Sequence, residues 1–330
     1  MTNRKDTGQT DHVKCRICPQ GCVLREGQTG VCHARACLEG IVRPLNYGRL
    51  TSLALDPVEK KPLARFLPGS YVLSVGTFGC NLRCPFCQNC EISCARIVTP
   101  VRGSEGHAAA DASAPGSPEE EPLPEVVFTD VNGRSHRIRT EEYTPEELCE
   151  TALYYRNRGN IGLAFTYNEP MVGMEFVRDT ARLVHEAGMK NVLVTAGCIT
   201  QEALAEVLPC IDAMNIDLKS FRAETYRELL GGDLETVKSF IRTAAEDAST
   251  HVELTTLIIP GENDTEEEMR EIASWIASLD GGRGRDIPLH VSRFFPRHRM
   301  TDRDATPVET VYRLAEIARR NLNYVYTGNC

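Results

Sequence analysis

From residue 70 onward, short apolar runs alternate with longer stretches of helical period. The run YVLSVG predicts a first strand at 71–76. Further strands are expected at 161–166, 191–195, 211–217, 251–259, 287–293 and 323–326. Between them the pattern predicts helices at 145–158, 172–188, 200–207, 221–230, 233–247, 264–279 and 307–320. In the second of these, Val172, Phe176, Val177, Thr180, Leu183 and Val184 recur at helical spacing, and Gly188 supplies the stop. NVLVT follows at 191–195, continuous and β-branched, as a strand buried on both faces should be. Repeated βα units imply parallel strands joined by right-handed crossovers. Six principal strands are too few for a closed eight-stranded barrel. The expected fold is therefore α/β, a partial (β/α)6 TIM-type barrel with its site at the carboxyl ends of the strands.

The chain before residue 70 has a different character. Residues 1–12 are polar and expected to be disordered. Residues 13–66 are rich in Cys and Gly without a long helical period, as in a small metal-stapled module. The barrel is expected to occupy 67–330, with an insertion at 100–140. The first part of that insertion, 100–125, is dominated by Ala, Ser, Gly, Pro and Glu and cannot pack a core. The second part, 126–140, alternates around Asn132-Gly133, a type I′ hairpin signal. A tolerated surface insertion is preferred to a flap over the site.

Composition narrows the function classes. With 42% apolar and 25% charged residues, the 330-residue chain reads as an ordinary soluble globular protein. A formal charge of −9 argues against nucleic acid as a partner. No apolar run is long enough to span a bilayer, and the first residues lack the hydrophobic segment of a secretory signal. A cytoplasmic location is the expectation. Of fourteen cysteines, nine fall in two groups: Cys15, Cys18, Cys22 and Cys32, then Cys80, Cys84, Cys87, Cys90 and Cys94. In a reducing compartment, clustered thiols point to metal rather than disulfides.

The loop GCNLRCPFCQN carries the sharpest signal. Cys80, Cys84 and Cys87 sit together just past the first strand, and three thiolates in one turn can hold three irons of a cubane cluster. The fourth iron then lacks a protein ligand, and an open coordination position is where metalloproteins do chemistry. A zinc site completed by Cys90 or Cys94 is the competing reading. Zinc ribbons, however, usually split their ligands between two turns. Glu169, in AFTYNEP after the second strand, could hold an ammonium, or could be an acid that merely suits a helix start. Asp217 and Lys219 project to one face after the fourth strand, as ligand contacts or as a plain salt bridge. His290 is a further candidate against a satisfied core histidine. Thr195 offers a hydroxyl for a nucleoside. Cys15, Cys18, Cys22 and Cys32 suffice for structural zinc or for an auxiliary iron–sulfur cluster, and spacing does not choose between them.

The stretches CRICPQGCVLREGQTGVCHAR, YGRLTSLALDPVEKKPLARFLPGS, SVGTFGCNLRCPFCQNCEIS, FTYNEP and NIDLKSF together resemble the radical S-adenosylmethionine (radical SAM) enzymes of the AmmeMemoRadiSam system, relatives of pyruvate formate-lyase activating enzymes. The resemblance implies a [4Fe–4S] cluster on Cys80, Cys84 and Cys87, chelated at its fourth iron by the amino and carboxylate groups of S-adenosylmethionine. It further implies Glu169 on the methionine amine, Lys219 on the carboxylate, Asp217 and His290 nearby, and Phe86 near the adenine. Tyr167 and Asn168 stand where relatives carry Gly-Gly, so they complete the candidate cofactor contacts and only the acid carries over. The implied reaction cleaves S-adenosylmethionine to methionine and a 5′-deoxyadenosyl radical that abstracts hydrogen from a small molecule or a partner protein. Implied partners are a flavodoxin- or ferredoxin-like electron donor and Memo-like and AMMECR-like proteins. Two alternatives stand beside it: an activase that makes a glycyl radical on a partner polypeptide, and a non-catalytic electron carrier or zinc scaffold.

Overall fold

The computed structural model describes residues 12–98 and 124–330. The expected disorder of 1–12 and the low-complexity stretch 100–125 lie outside them, apart from His12, Pro124 and Glu125. The chain is built on one eight-stranded sheet: β1 (Ser52–Pro57), β2 (Tyr71–Gly76), β3 (Asn160–Phe165), β4 (Lys190–Thr195), β5 (Ala213–Asp217), β6 (His251–Ile258), β7 (Leu289–Arg293) and β8 (Val325–Gly328). The strands follow one another in chain order. β2 to β8 are parallel, and β1 runs antiparallel to β2 at one edge.

Six α-helices serve the parallel connections: α1 (Pro145–Tyr154), α2 (Met174–Glu186), α3 (Gln201–Val207), α4 (Leu234–Glu246), α5 (Glu266–Ala277) and α6 (Val308–Arg319). Four start at a side-chain cap: Thr144 in a reciprocal box with Glu147, then Thr200, Asp233 and Thr265. Each cap satisfies an otherwise unpaired amide and so marks where a βα loop must end. Sequential strand order with right-handed crossovers puts the helices on one face of the sheet. There Leu163, Leu193, Met214, Leu254 and Val291 meet Phe176, Phe240 and Leu314 in the main core.

The other face follows from the period of two. Near its amino-terminal end Val72, Ala164, Val192 and Ala213 are covered by Val58 and Leu63 from the segment between β1 and β2. Further along the same face the residues turn polar: Asn215 then Asp217 on β5, Glu253 then Thr255 on β6, and His290 then Ser292 on β7.

Several expectations are changed by the structure. Residues 52–57, grouped by sequence with the Cys-rich unit, form β1, the antiparallel edge strand of the main sheet. They are mostly half-buried, which blurs the alternation that would have revealed them. The expected helix 172–188 begins with a separate 3-10 turn, Pro170–Gly173, and the expected helix 221–230 contains a π-helix, Thr225–Leu230. The expected hairpin forms, but not with a two-residue type I′ turn. Strands Glu125–Thr129 and Ser135–Ile138 are joined by five residues organised by Asp130, whose carboxylate accepts the Asn132 and Arg134 amides. Arg96–Val98 adds a third strand to this small sheet.

Candidate active site

Past β2 the backbone leaves the sheet and enters the cysteine loop. Gly79 has φ 91°, and a Cβ there would lie 2.6 Å from the Cys32 carbonyl oxygen. This position therefore requires glycine, both for its conformation and for the close approach. The next amide, of Cys80, donates to that same Cys32 oxygen at 3.2 Å. The loop is held from other sides as well. Arg83 N–H donates to the Leu230 carbonyl at 2.8 Å, at the end of the π-helix, and Arg299 N–H donates to the Pro85 carbonyl at 2.8 Å. Asn168 closes the third side, its amide donating to the Gly79 carbonyl and the Thr77 hydroxyl at 2.9 and 3.1 Å.

So fixed, Cys80, Cys84 and Cys87 line one cavity of about 280 Å³ at the carboxyl ends of the strands. Burial pushes the Cys84 thiol up to about 11 and raises Cys80 well above its ordinary value, with neighbouring Glu169 adding to the effect at Cys80. Thiols so placed ionise only with a cation to hold the charge, and a coordinated metal does that outright. Three cysteine thiols on one cavity fit an iron–sulfur cluster. Cys90 and Cys94 do not line the cavity. They lie at the start and end of the short helix Cys90–Ser93, whose Ser93 hydroxyl is 3.2 Å from the Cys87 sulfur. Among the described residues, no group of three or more Cys, His, Asp or Glu side chains is arranged around a single-ion position.

Glu169 faces the same cavity and is only 2% exposed. It caps the 3-10 turn through the Met171 amide at 3.1 Å, so the helix-start role does exist. It also accepts the Thr195 hydroxyl at 2.8 and 3.0 Å and the Ala196 amide at 2.8 Å. Thr195 therefore acts on this acid, at the end of β4. Burial raises the Glu169 pKa, and these donors and the charge of Lys219 only partly offset it. No cation touches the carboxylate among the described residues, so it is suited to receive an ammonium.

Asp217 and Lys219 also line the cavity and form an ion pair of 2.6 Å. Burial opposes the Lys219 charge, but Asp217 and the Cys84 thiolate outweigh it and hold the ammonium above its ordinary pKa. The Lys219 amide donates to the buried Tyr226 hydroxyl at 3.0 Å. Phe86 is buried against the cavity between two of the cysteines.

Tyr167 and Asn168 replace the glycines of the resembled pattern but do more than fill space. Tyr167 stands in the left-handed region at φ 74°, which costs a non-glycine residue about 1–2 kcal/mol. Its hydroxyl donates to Asp56 at 2.9 Å, and its carbonyl accepts the Asn89 side chain at 2.7 Å.

His290 does not line the cavity. Its ring nitrogen meets Glu253 at 2.6 Å and its ring stacks on Tyr326 at 5.3 Å. It has the right face of β7 at the wrong height: Ser292, two residues nearer the carboxyl end, is the one at the cavity. Ser292, Thr255, Leu257, Gln88 and Asn89 are lining residues that sequence reasoning did not find. The period of two through His290 was the available signal for Ser292, whereas Thr255 and Leu257 lie on β6, where sequence reasoning had singled out no residue.

The amino-terminal cysteines pack directly behind the loop. Cys15 N–H donates to the Cys22 carbonyl at 2.8 Å, while Cys18 and Cys32 are buried. Burial pushes Cys18 up to about 11, and the neighbouring Cys32 and Cys15 thiols push in the same direction. Cys32 is likewise raised by burial, with Cys15 and Cys22 adding to it. The Ile17 carbonyl accepts the Thr200 amide at 3.0 Å, tying the unit to the end of β4 and the start of α3.

A cysteine loop on the first parallel strand and a buried acid on the second define a class, and the family comparison identifies it. The model of the Radical SAM superfamily matches residues 74–276, and the chain belongs to that superfamily. It is 36% identical over 318 residues to an uncharacterized protein of Methanocaldococcus jannaschii, covering 96% of this chain and 81% of that one. It is 22% identical to the indoleacetate decarboxylase activating enzyme of Tractidigestivibacter scatoligenes, covering 64% of this chain and 76% of the relative. Among solved structures, a domain of the pyruvate-formate lyase-activating enzyme from Bacteroides vulgatus aligns with a TM-score of 0.43 at 21% identity, covering 50% of this chain and 98% of that domain. No helix among the described residues is long and apolar enough to cross a membrane.

Proposed function

We propose that this chain cleaves S-adenosylmethionine reductively and directs the resulting radical at a hydrogen atom of its substrate, on a partial barrel of the radical SAM kind. The observation that carries the reading is the shared cavity of Cys80, Cys84, Cys87 and Glu169. When bound, a [4Fe–4S] cluster supplies the electron that splits the sulfonium into methionine and a 5′-deoxyadenosyl radical. Cys80, Cys84 and Cys87 hold the cluster. Glu169 receives the methionine ammonium, its buried carboxylate having no ion-pair partner among the described residues. Lys219, already poised by Asp217, pairs with the carboxylate, and Phe86 offers an apolar surface to the adenine. Thr195 orients Glu169, and Asn168 fixes the loop between them.

Activation of a partner polypeptide by glycyl-radical formation is the second reading, supported by the activating enzymes among the relatives. The finer assignment, to the AmmeMemoRadiSam system with Memo-like and AMMECR-like partners, rests on motif resemblance. Cys15, Cys18, Cys22 and Cys32 are proposed to hold zinc or a second iron–sulfur cluster, and a flavodoxin- or ferredoxin-like protein to supply electrons in the cytoplasm. Anaerobic reconstitution followed by dithionite and S-adenosylmethionine tests the main reading: methionine and 5′-deoxyadenosine should appear together. Iron and sulfide loading without either product overturns it. A glycyl-radical resonance on a co-purified partner would select the activase.

A further inference from the structure

The segment between β1 and β2 meets the acid loop at one buried point. Asp56, next to the last residue of β1, accepts the Tyr167 hydroxyl at 2.9 Å and the Lys61 ammonium at 2.9 Å on the same carboxylate oxygen. Lys61 is 3% exposed and lies 5.0 Å from the centre of the Tyr167 ring. The ring itself covers Gly76, where a Cβ would fall 2.8 Å from its edge. Four residues from three segments thus fit only together: Asp56, Lys61, Gly76 and Tyr167.

What they hold is a backbone that tyrosine does not favour. Tyr167 carries φ 74°, the conformation a glycine adopts freely, directly before the two residues that clamp and face the cavity. Asn168 bonds Thr77 and Gly79 on one side, and Glu169 bonds Met171, Thr195 and Ala196 on the other. The Tyr167 carbonyl meanwhile accepts Asn89, two residues beyond Cys87. A shift of φ at residue 167 would therefore move the acid and loosen a tie to the cysteine loop at once.

We propose that Tyr167 is a positioning residue: latched by Asp56 and Lys61, it holds the strained turn that aims Glu169 into the cavity in register with the cysteine loop. The latch does the work that a flexible Gly-Gly pair would leave to the backbone alone. The inference rests on the reading of Glu169 as the holder of the cofactor ammonium.

The test uses the full chain loaded with iron and sulfide. Tyr167→Phe keeps the ring and removes the bond to Asp56. It should raise the KM for S-adenosylmethionine about tenfold, the size expected for losing a hydrogen bond to a charged acceptor. Iron content should stay as in the wild type. Asp56→Asn should do the same, and the double variant should be no worse than either single one. Tyr167→Gly accepts the left-handed turn without the latch, so its KM should lie below that of Tyr167→Ala. An unchanged KM in Tyr167→Phe, or a glycine variant no better than alanine, overturns the latch. Amide exchange gives a readout without turnover: protection of Met171 and Ala196, the donors to Glu169, should fall in Tyr167→Phe. Unchanged protection also overturns the proposal. If the wild type loads iron yet cleaves no S-adenosylmethionine, the functional reading fails, while exchange still decides whether Tyr167 positions Glu169.

Discussion

Two carboxylates, Glu253 on β6 and Glu169 in the loop after β3, are buried with opposite electrostatics. Glu253, toward the amino-terminal end, is fully buried and accepts four partners: the Ala64 and Arg65 amides, His251 at 2.9 Å and His290 at 2.6 Å. Burial alone would raise its pKa, but those four donors overcome it and hold the group at about 2. Glu169, toward the carboxyl end, also accepts several donors, yet burial wins and its pKa is raised. The difference is what stands around them. Glu253 is closed over by residues 62–67 and satisfied by imidazoles, whereas Glu169 opens onto a cavity and, among the described residues, is hydrogen-bonded only by neutral donors. A buried acid with all its partners staples a fold; one that lacks a cation beside an open space is ready for a ligand.

The largest effect that would sharpen this contrast is at the cavity end. Cys84→Ala should abolish S-adenosylmethionine cleavage and the iron bound at the loop, while leaving metal at the amino-terminal cysteines, as read by metal analysis and electron paramagnetic resonance. Next comes Glu253→Ala, which strips two amides, the buried His290 and the half-buried His251 of their acceptor. It should cost about 3–5 kcal/mol in denaturant unfolding. Equal stability of wild type and variant would break the comparison at its structural end. Glu169→Gln should behave in the opposite way. Affinity for S-adenosylmethionine, measured by equilibrium dialysis, should fall about tenfold to a hundredfold. Stability should change by less than about 1 kcal/mol.

The smallest effects are in pH dependence, and their signs differ. Glu253 sits below its ordinary value of 4.5, so its stabilisation is complete above that pH and is lost as pH falls toward about 2. Glu169 sits above 4.5, so its ionisation opposes folding, and its contribution declines as pH rises past 4.5. Unfolding midpoints should therefore lose part of their acid sensitivity in Glu253→Gln, and should rise at neutral pH in Glu169→Gln. The same sign in both variants would refute the distinction.

Much of this arrangement was legible beforehand, and what escaped has definite causes. The strands from 71 to 326 announced themselves by apolar runs, and the cysteine loop by spacing alone, because ligands for one cluster must be close in sequence when one turn supplies them. The pairing of Glu169 with that loop could be anticipated from parallel βα order. His290, weighed as a ligand contact or a satisfied histidine, sits below the cavity on Glu253; periodicity gives a residue's face but not its height on the strand. β1 was missed because an edge strand half open to solvent carries little alternation. Tyr167 and Asn168 looked like departures from a glycine pattern, and nothing local to them pointed to Asp56, 111 positions away.

Sequence by itself determined the α/β order, the three-thiol loop and the acid on the next strand, since all of these are written in local period and spacing. Tertiary structure alone decided which buried carboxylate became a staple and which faced a cavity. It also decided that a tyrosine could hold a glycine's conformation. Those outcomes depend on groups far apart in the chain, such as Arg65 with Glu253 or Asp56 with Tyr167, and only the folded sheet brings them within hydrogen-bond reach.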